Sequence, residues 1–499
     1  MCTTRRAQGA VLLAGVVALA SAACTPEGPE PPDPSPSPLP TAFGGERPPG
    51  VEGDPVRHLH GSGSDGPDIL DDDMGVRIQG VGGSFLISSN SEERHLLQRA
   101  SDGETLWRGG ERVAGFTRAP DGGPALRLAG AEGDGASVID DEGATVWEGG
   151  GRDVYVPGFS VRRPEGWTPE EPYGEFTVTG PEGDGPRWEY AFEAPPGEQE
   201  EGAGPPDSDV GRLGVPVGAD DGVLLLDDGA GLLQARDPGD PDEPLWSTAG
   251  DASGLLGDGA VPRPVPQIIG HYRLPEPDGL DDPDASEDAE GTEDTEDTED
   301  TEGTEGGTED GDGDGAAPSA PEDTEGADAE EGAEEDTVPA VLVRWMRPEE
   351  PSLLSMHDLH TGEVAWTLSE PGTNPADPGF SPDPVAGTVH DSETGTLLLP
   401  QAGGATPVMA VDTATGERLW EFEGEEERAL APAFAAQGFV YGDARGADDT
   451  DSAQVVLEAR TKDAVAEGMD AYVEAVSADG YAVVVYDRQR FVFPPSGGG

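Results

Sequence analysis

The 499-residue chain has two cysteines, one lysine and almost no regular helical patterning, and each shortage removes a class of explanation. Cys2 lies inside a leader-like segment and Cys24 at its end, so the body that follows holds no pair of thiols for an intramolecular disulfide. Positive charge is scarce: 28 Lys and Arg stand against 103 Asp and Glu, for a formal net charge of −75. Nucleic acid and anionic lipid surfaces are therefore poor partners. The apolar run 11–20 is too short to span a bilayer by itself. There is no G-x-S-x-G elbow, no Gly-rich phosphate loop and no H-E-x-x-H zinc motif.

What is present first is an address. Residues 1–23 carry Arg5 and Arg6, the apolar run and then small residues up to Cys24, the layout of a secretory signal. The cysteine at the cleavage point resembles a bacterial lipobox, in which that thiol is acylated, although Ser21 stands where an aliphatic residue is usual. The expected location is the extracytoplasmic face of the cell membrane, with secretion after cleavage near Ala22 or Ala23 as the alternative. Residues 24–50 are dense in proline and read as a disordered, extended tether. The body is expected in two stretches, 51–277 and 338–494, and 495–499 as a disordered tail.

Between the two stretches, 278–337 reads as a disordered acidic insert. Residues 278–336 hold 28 Asp and Glu and no Lys or Arg. Asp310, Asp312, Asp314 and Gly315 open like a calcium loop, but Pro321 stands where a bidentate glutamate is needed. Loose Ca2+ condensation on the tract is the cation binding it supports.

The body alternates like half-buried strands, with turns rich in Gly, Asp, Asn and Ser. One stretch, AVDTATGERLW at 410–420, recurs. Asp412 and Thr413 can bond nearby N–H groups, Gly416 supplies a positive φ, and Trp420 follows four residues later. HDLHTGEVAW keeps Gly362 and Trp366 in that register; Gly103 with Trp107 and Gly143 with Trp147 keep the spacing. Trp188 and Trp246 mark looser copies, and a seventh unit has Lys462 and Ala466 in the glycine and tryptophan positions. Units of about 40 to 60 residues suit four-stranded propeller blades.

This pattern resembles the pyrroloquinoline-quinone-type repeat, shared by quinoprotein dehydrogenases and by non-enzymatic lipoproteins such as the propeller component of the outer-membrane assembly machine. The resemblance implies an all-β propeller in which the aromatic at the position of Trp420 packs one blade onto the next. Seven units plus strands near 471–493, with Val56–His60 supplying the missing strand, give eight blades; seven is the alternative count.

The resemblance leaves two functions open. A quinone-dependent dehydrogenase or cofactor-binding redox protein would carry a quinone and calcium in the axis, and commonly a disulfide of neighbouring cysteines that this chain cannot form. The favoured expectation is a non-catalytic binding or assembly platform, without a cofactor, catalytic residue or metal site, facing an unknown protein or cell-envelope partner. His58, His60, His357 and His360 read as surface or turn residues.

Overall fold

The computed structural model describes residues 42–59, 68–71, 75–130, 135–181, 183, 187–194, 212–248, 264–275, 337–376, 385, 387–400, 407–422, 430–444 and 453–496. The leader, Cys24, most of the tether, His60 and the acidic insert through residue 336 lie outside the described residues.

Among the described residues thirty-two strands form eight four-stranded antiparallel sheets, and the one helical element is the 3-10 turn Asp68–Asp71. Seven sheets are built from consecutive strands: 76–109, 112–149, 153–192, 215–247, 265–369, 389–421 and 430–467, blades 1 to 7. Blade 8 joins Ala471–Val476, Ala482–Tyr486 and Gln489–Phe493 to the N-terminal strand Arg57–Leu59, which pairs with Gln489–Phe493 through Arg57↔Val492, His58↔Phe491 and Leu59↔Arg490. Both ends of the chain are thus sewn into one sheet. The first strands of blades 8 and 1 touch, as do those of blades 3 and 4, 4 and 5, and 6 and 7, so first strands gather around the axis of an eight-bladed ring.

Burial follows the seams. There are eight apolar clusters among the described residues, and each joins two neighbouring blades. Ile78, Phe85 and Ile87 of blade 1 pack on Ala475, Val483 and Val492 of blade 8. Trp366 of blade 5 packs on Leu397, Leu399 and Met409 of blade 6. Second strands such as Val223–Asp227 and Thr396–Pro400 are buried at every residue, because a blade presses on each face; their sequences are apolar runs rather than alternations for that reason.

Three expected boundaries differ. Residues 42–50 are body rather than free tether: the Phe43 ring lies 5.1 Å from Phe493 and 5.5 Å from Phe491, edge to face, and Tyr441 Oη donates to Pro49 O at 2.9 Å. One phenylalanine in a proline-rich stretch is enough to pin it. At the other end Ser496 Oγ donates to Gly50 O at 2.8 Å, so the tail starts later than residue 495. Thr337 opens the strand Thr337–Met346, whose partner Val265–Pro275 ends where the insert leaves blade 5.

Candidate functional site

The recurring turn explains its own residues. In blade 6 Asp412 Oδ1 accepts from the N–H groups of Ala414 and Thr415, both at 3.0 Å, and Thr415 Oγ1 accepts from Glu417 N–H at 3.2 Å. Gly416 N–H closes onto Asp412 O at 2.9 Å. Asp358, Thr361 and Gly362 repeat the arrangement in blade 5. Gly416 and Gly362 sit at φ +71° and +73°, a region that side chains disfavour. One extra residue after the turn, Leu419 in blade 6 and Ala365 in blade 5, bulges the ladder just before the tryptophan, and the same irregularity recurs in blades 1, 2 and 7. A bulge re-aims the side chain beside it.

Each of these indoles reaches the turn of the following blade, not its own. Trp246, Trp366 and Trp420 donate Nε1–H to the carbonyls of Leu359, Thr413 and Ala459, each at 2.8 Å. The rings of Trp246 and Trp366 fill the space that a side chain on Gly362 or Gly416 would need, a second reason for glycine there. In blade 7 Lys462 takes that position at φ +66° and its ammonium donates to Glu421 O at 3.0 Å. Trp107 lies against Gly143 of blade 2. Trp147 is buried 5.6 Å from Tyr155 of blade 3, with Nε1 unpartnered, and Trp188 lies 4.4 Å from Tyr190 at the seam of blades 3 and 4. Gly103, at φ +81°, belongs to the same set of turns, and what fills its space is Arg57.

The polar chemistry lies on the axis. Arg118 ends the first strand of blade 2, and its guanidinium donates to Asp220 Oδ1 of blade 4 and to His271 O of blade 5, both at 2.9 Å. Blade 3 stands between blades 2 and 4, so these bonds cross the ring opening rather than follow its wall. The bulge between Ile268 and Gly270 bends the long strand of blade 5 and supplies the reach. Tyr155 of blade 3 donates to Arg118 O at 2.9 Å, which fixes the backbone under the arginine. Asp220 is 4% exposed, and its Oδ2 and the Nδ1 of His271 are buried without partners. Burial holds the His271 imidazole down to about 4 against the pull of Asp220, so the ring is neutral at pH 7. The arginine and aspartate balance each other in a partly dry site, where removing either leaves a buried charge.

A quinone and calcium centre of the kind the resemblance implies needs axial room and converging oxygen donors. Here the mouth is crossed by Arg118, and among the described residues no three His, Cys, Asp or Glu side chains are grouped to hold a metal ion. The described residues do not fit that group. A separate cavity of about 300 Å³ in blade 8 is lined by Tyr472, Val485 and Arg490, but Arg490 is already held by Glu474 at 2.5 and 3.0 Å and by Val76 O at 3.1 Å. It ties blade 8 to blade 1.

The histidines divide. His357, expected at a surface or turn, is fully buried: its Nε2 lies 2.7 Å from Ser355 Oγ and its ring stacks 5.5 Å from Trp246. The apolar seam of blades 4 and 5 takes it because Ser355 and Gly362 O, 3.3 Å from Nδ1, satisfy both nitrogens. His360 bonds Asp221 of blade 4 at 2.9 Å on the surface, and His58 stacks 4.8 Å from Phe491. The Arg118 bracket gave no signal in the sequence, since its partners lie 102 and 153 positions away.

No known family's sequence pattern matches the chain, and no curated protein matches it. Among solved structures it is similar to BamB from Moraxella catarrhalis, at 12% identity over 88% of this chain and 99% of that one, TM-score 0.37. It is also similar to a europium-containing methanol dehydrogenase, at 10% identity over 86% and 84%, TM-score 0.38. A quinohemoprotein alcohol dehydrogenase from Comamonas testosteroni matches at 11% over 82% and 70%, TM-score 0.38. The fold itself is an eight-bladed ring of four-stranded antiparallel sheets, with an indole laid over the next blade's turn at three seams.

Proposed function

We propose that the chain is a lipid-anchored, extracytoplasmic propeller that works as a non-catalytic binding or assembly platform. The observation that carries this reading is the Arg118 bracket, which occupies the axis with the protein's own side chains and leaves the turns around the ring as the surface open to a partner. The partner is a protein or other component of the cell envelope, recognised by loops at one mouth. The anchor is Cys24, acylated after cleavage of the leader, and the acidic insert condenses cations loosely.

Purified full-length protein incubated with pyrroloquinoline quinone and calcium, with alcohol or sugar and an artificial electron acceptor, is expected to show no turnover and no quinone binding. Turnover would replace the platform with a dehydrogenase. Fatty-acid labelling of cells is expected to mark the wild type and to miss Cys24→Ala; equal labelling would remove the anchor.

A further inference from the structure

At three consecutive seams the slot over the next blade's turn holds an indole; at the seam that closes the ring it holds a guanidinium. Arg57 Nη2 donates to Ala100 O at 3.1 Å. Ala100 lies three residues before Gly103, as Leu359 lies before Gly362, Thr413 before Gly416 and Ala459 before Lys462. The Arg57 guanidinium also sits where a side chain on Gly103 would go, as Trp246 and Trp366 do under their glycines. We propose that Arg57 is the latch of the ring: it takes the tryptophan's place at the seam of blades 8 and 1, and the N-terminal strand it carries is released and re-seated while the rest of the ring stays folded.

Two observations make this seam the releasable one. A buried indole hides a large apolar surface and satisfies its single donor, whereas the Nε and Nη1 of Arg57 are buried without partners, so the cation is desolvated and only partly repaid in hydrogen bonds. In pairing the strand resembles other outer strands: three register pairs, as in blades 6 and 7, against five in blade 5 and two in blade 4, so the difference lies in what sits over the turn. Further local holds include the Val56 N–H on Val492 O at 2.8 Å, His58 stacked on Phe491 and bonded to Gln489 Oε1 at 3.0 Å, and Leu59 in the blade 8 and 1 cluster. Residues 43–51 are pinned separately, by Phe43 and Val51 in the cluster of blades 7 and 8, so the strand can leave without unthreading what precedes it. Release bares one edge of Gln489–Phe493 along Arg490, Phe491 and Val492, which is the form of site that accepts a short extended segment of another chain.

The test is hydrogen exchange read by mass spectrometry on the full chain, wild type beside Arg57→Trp and Arg57→Ala. In the wild type the amides of Arg57–Leu59 are expected to exchange on the order of tenfold or more faster than those of Val364–Ser369 and Arg418–Glu421, as a local opening below the global one. Arg57→Trp should slow the 57–59 amides toward the other outer strands, and Arg57→Ala should speed them, with blades 5 and 6 unmoved. Equal protection of the three strands in the wild type would overturn the latch, as would an Arg57→Trp variant whose 57–59 amides do not slow. The wild-type comparison alone decides should Arg57→Ala fail to fold.

Discussion

From blade 4 to blade 7 three consecutive seams are closed by one device, an indole bonded at 2.8 Å to the next blade's turn, while at the seams of blades 8 and 1 and of blades 1 and 2 the slot holds Arg57 and Trp107, and at that of blades 2 and 3 Trp147 lies against Tyr155 with its Nε1 unpartnered. The first arc also contains the most deeply buried ion pair among the described residues, Arg344 with Glu370, each 2% exposed, joined by two bonds of 2.7 Å and tied across the seam to Pro400 O at 2.6 Å. The contrast shows that a propeller's seams need one backbone frame but not one side chain. A turn with a left-handed residue and a bare carbonyl accepts whichever donor arrives over it.

The largest expected effect lies in the uniform arc. Arg344→Ala leaves a buried carboxylate without its partner and should cost about 3–5 kcal/mol in denaturant unfolding, the range for breaking a buried pair. A loss below about 1 kcal/mol would mean the pair is solvated. Next is the bracket. Arg118→Ala strands Asp220 and should cost about 2–3 kcal/mol, and adding Asp220→Asn should recover part of it, with a coupling above about 1 kcal/mol in the double-mutant cycle. Strict additivity would mean that the two groups do not meet on the axis.

Comparing the arcs directly, Trp366→Phe orphans Thr413 O and should cost about 1–2 kcal/mol, while Trp147→Phe loses no hydrogen bond and should cost about half as much or less. Equal losses would erase the distinction between the arcs. A pH-dependent effect concerns Asp227 of blade 4, whose carboxyl is pushed up to about 8 by burial, helped by neighbouring Asp228 and opposed by the Gly229 N–H. The folded state keeps that proton between roughly pH 4 and 8 while the unfolded chain has released it, so stability falls as pH rises through that window. Asp227→Asn should remove the decline, so that denaturant stability of the variant is flat between roughly pH 4 and 8 where the wild type slopes downward. A slope unchanged by the substitution would place the proton elsewhere.

The sequence was legible where a local rule fixes the residue. The Asp-x-x-Thr-Gly turn declares itself in 412–416 because capping and a positive φ need those residues, and Trp366 and Trp420 follow at fixed spacing. The eighth blade was legible too, since three strands near the C-terminus lacked a fourth. Arg57 was not, because a search for tryptophan four residues after glycine cannot see an arginine at the other end of the chain. Arg118 was hidden for the same reason: a contact across the ring opening leaves no periodicity. His357 misled, since its burial depends on Ser355 and a turn carbonyl brought to it by folding.

The ring's closure by its own N-terminal strand is tested most directly by thermal unfolding of two chains, one starting at residue 42 and one at residue 60. The shorter chain lacks the outer strand of blade 8, Leu59 and the Phe43 anchor, and is expected to melt about 2 °C or more lower, from the loss of more than about 2 kcal/mol of burial and pairing. Superimposable melts would contradict the account.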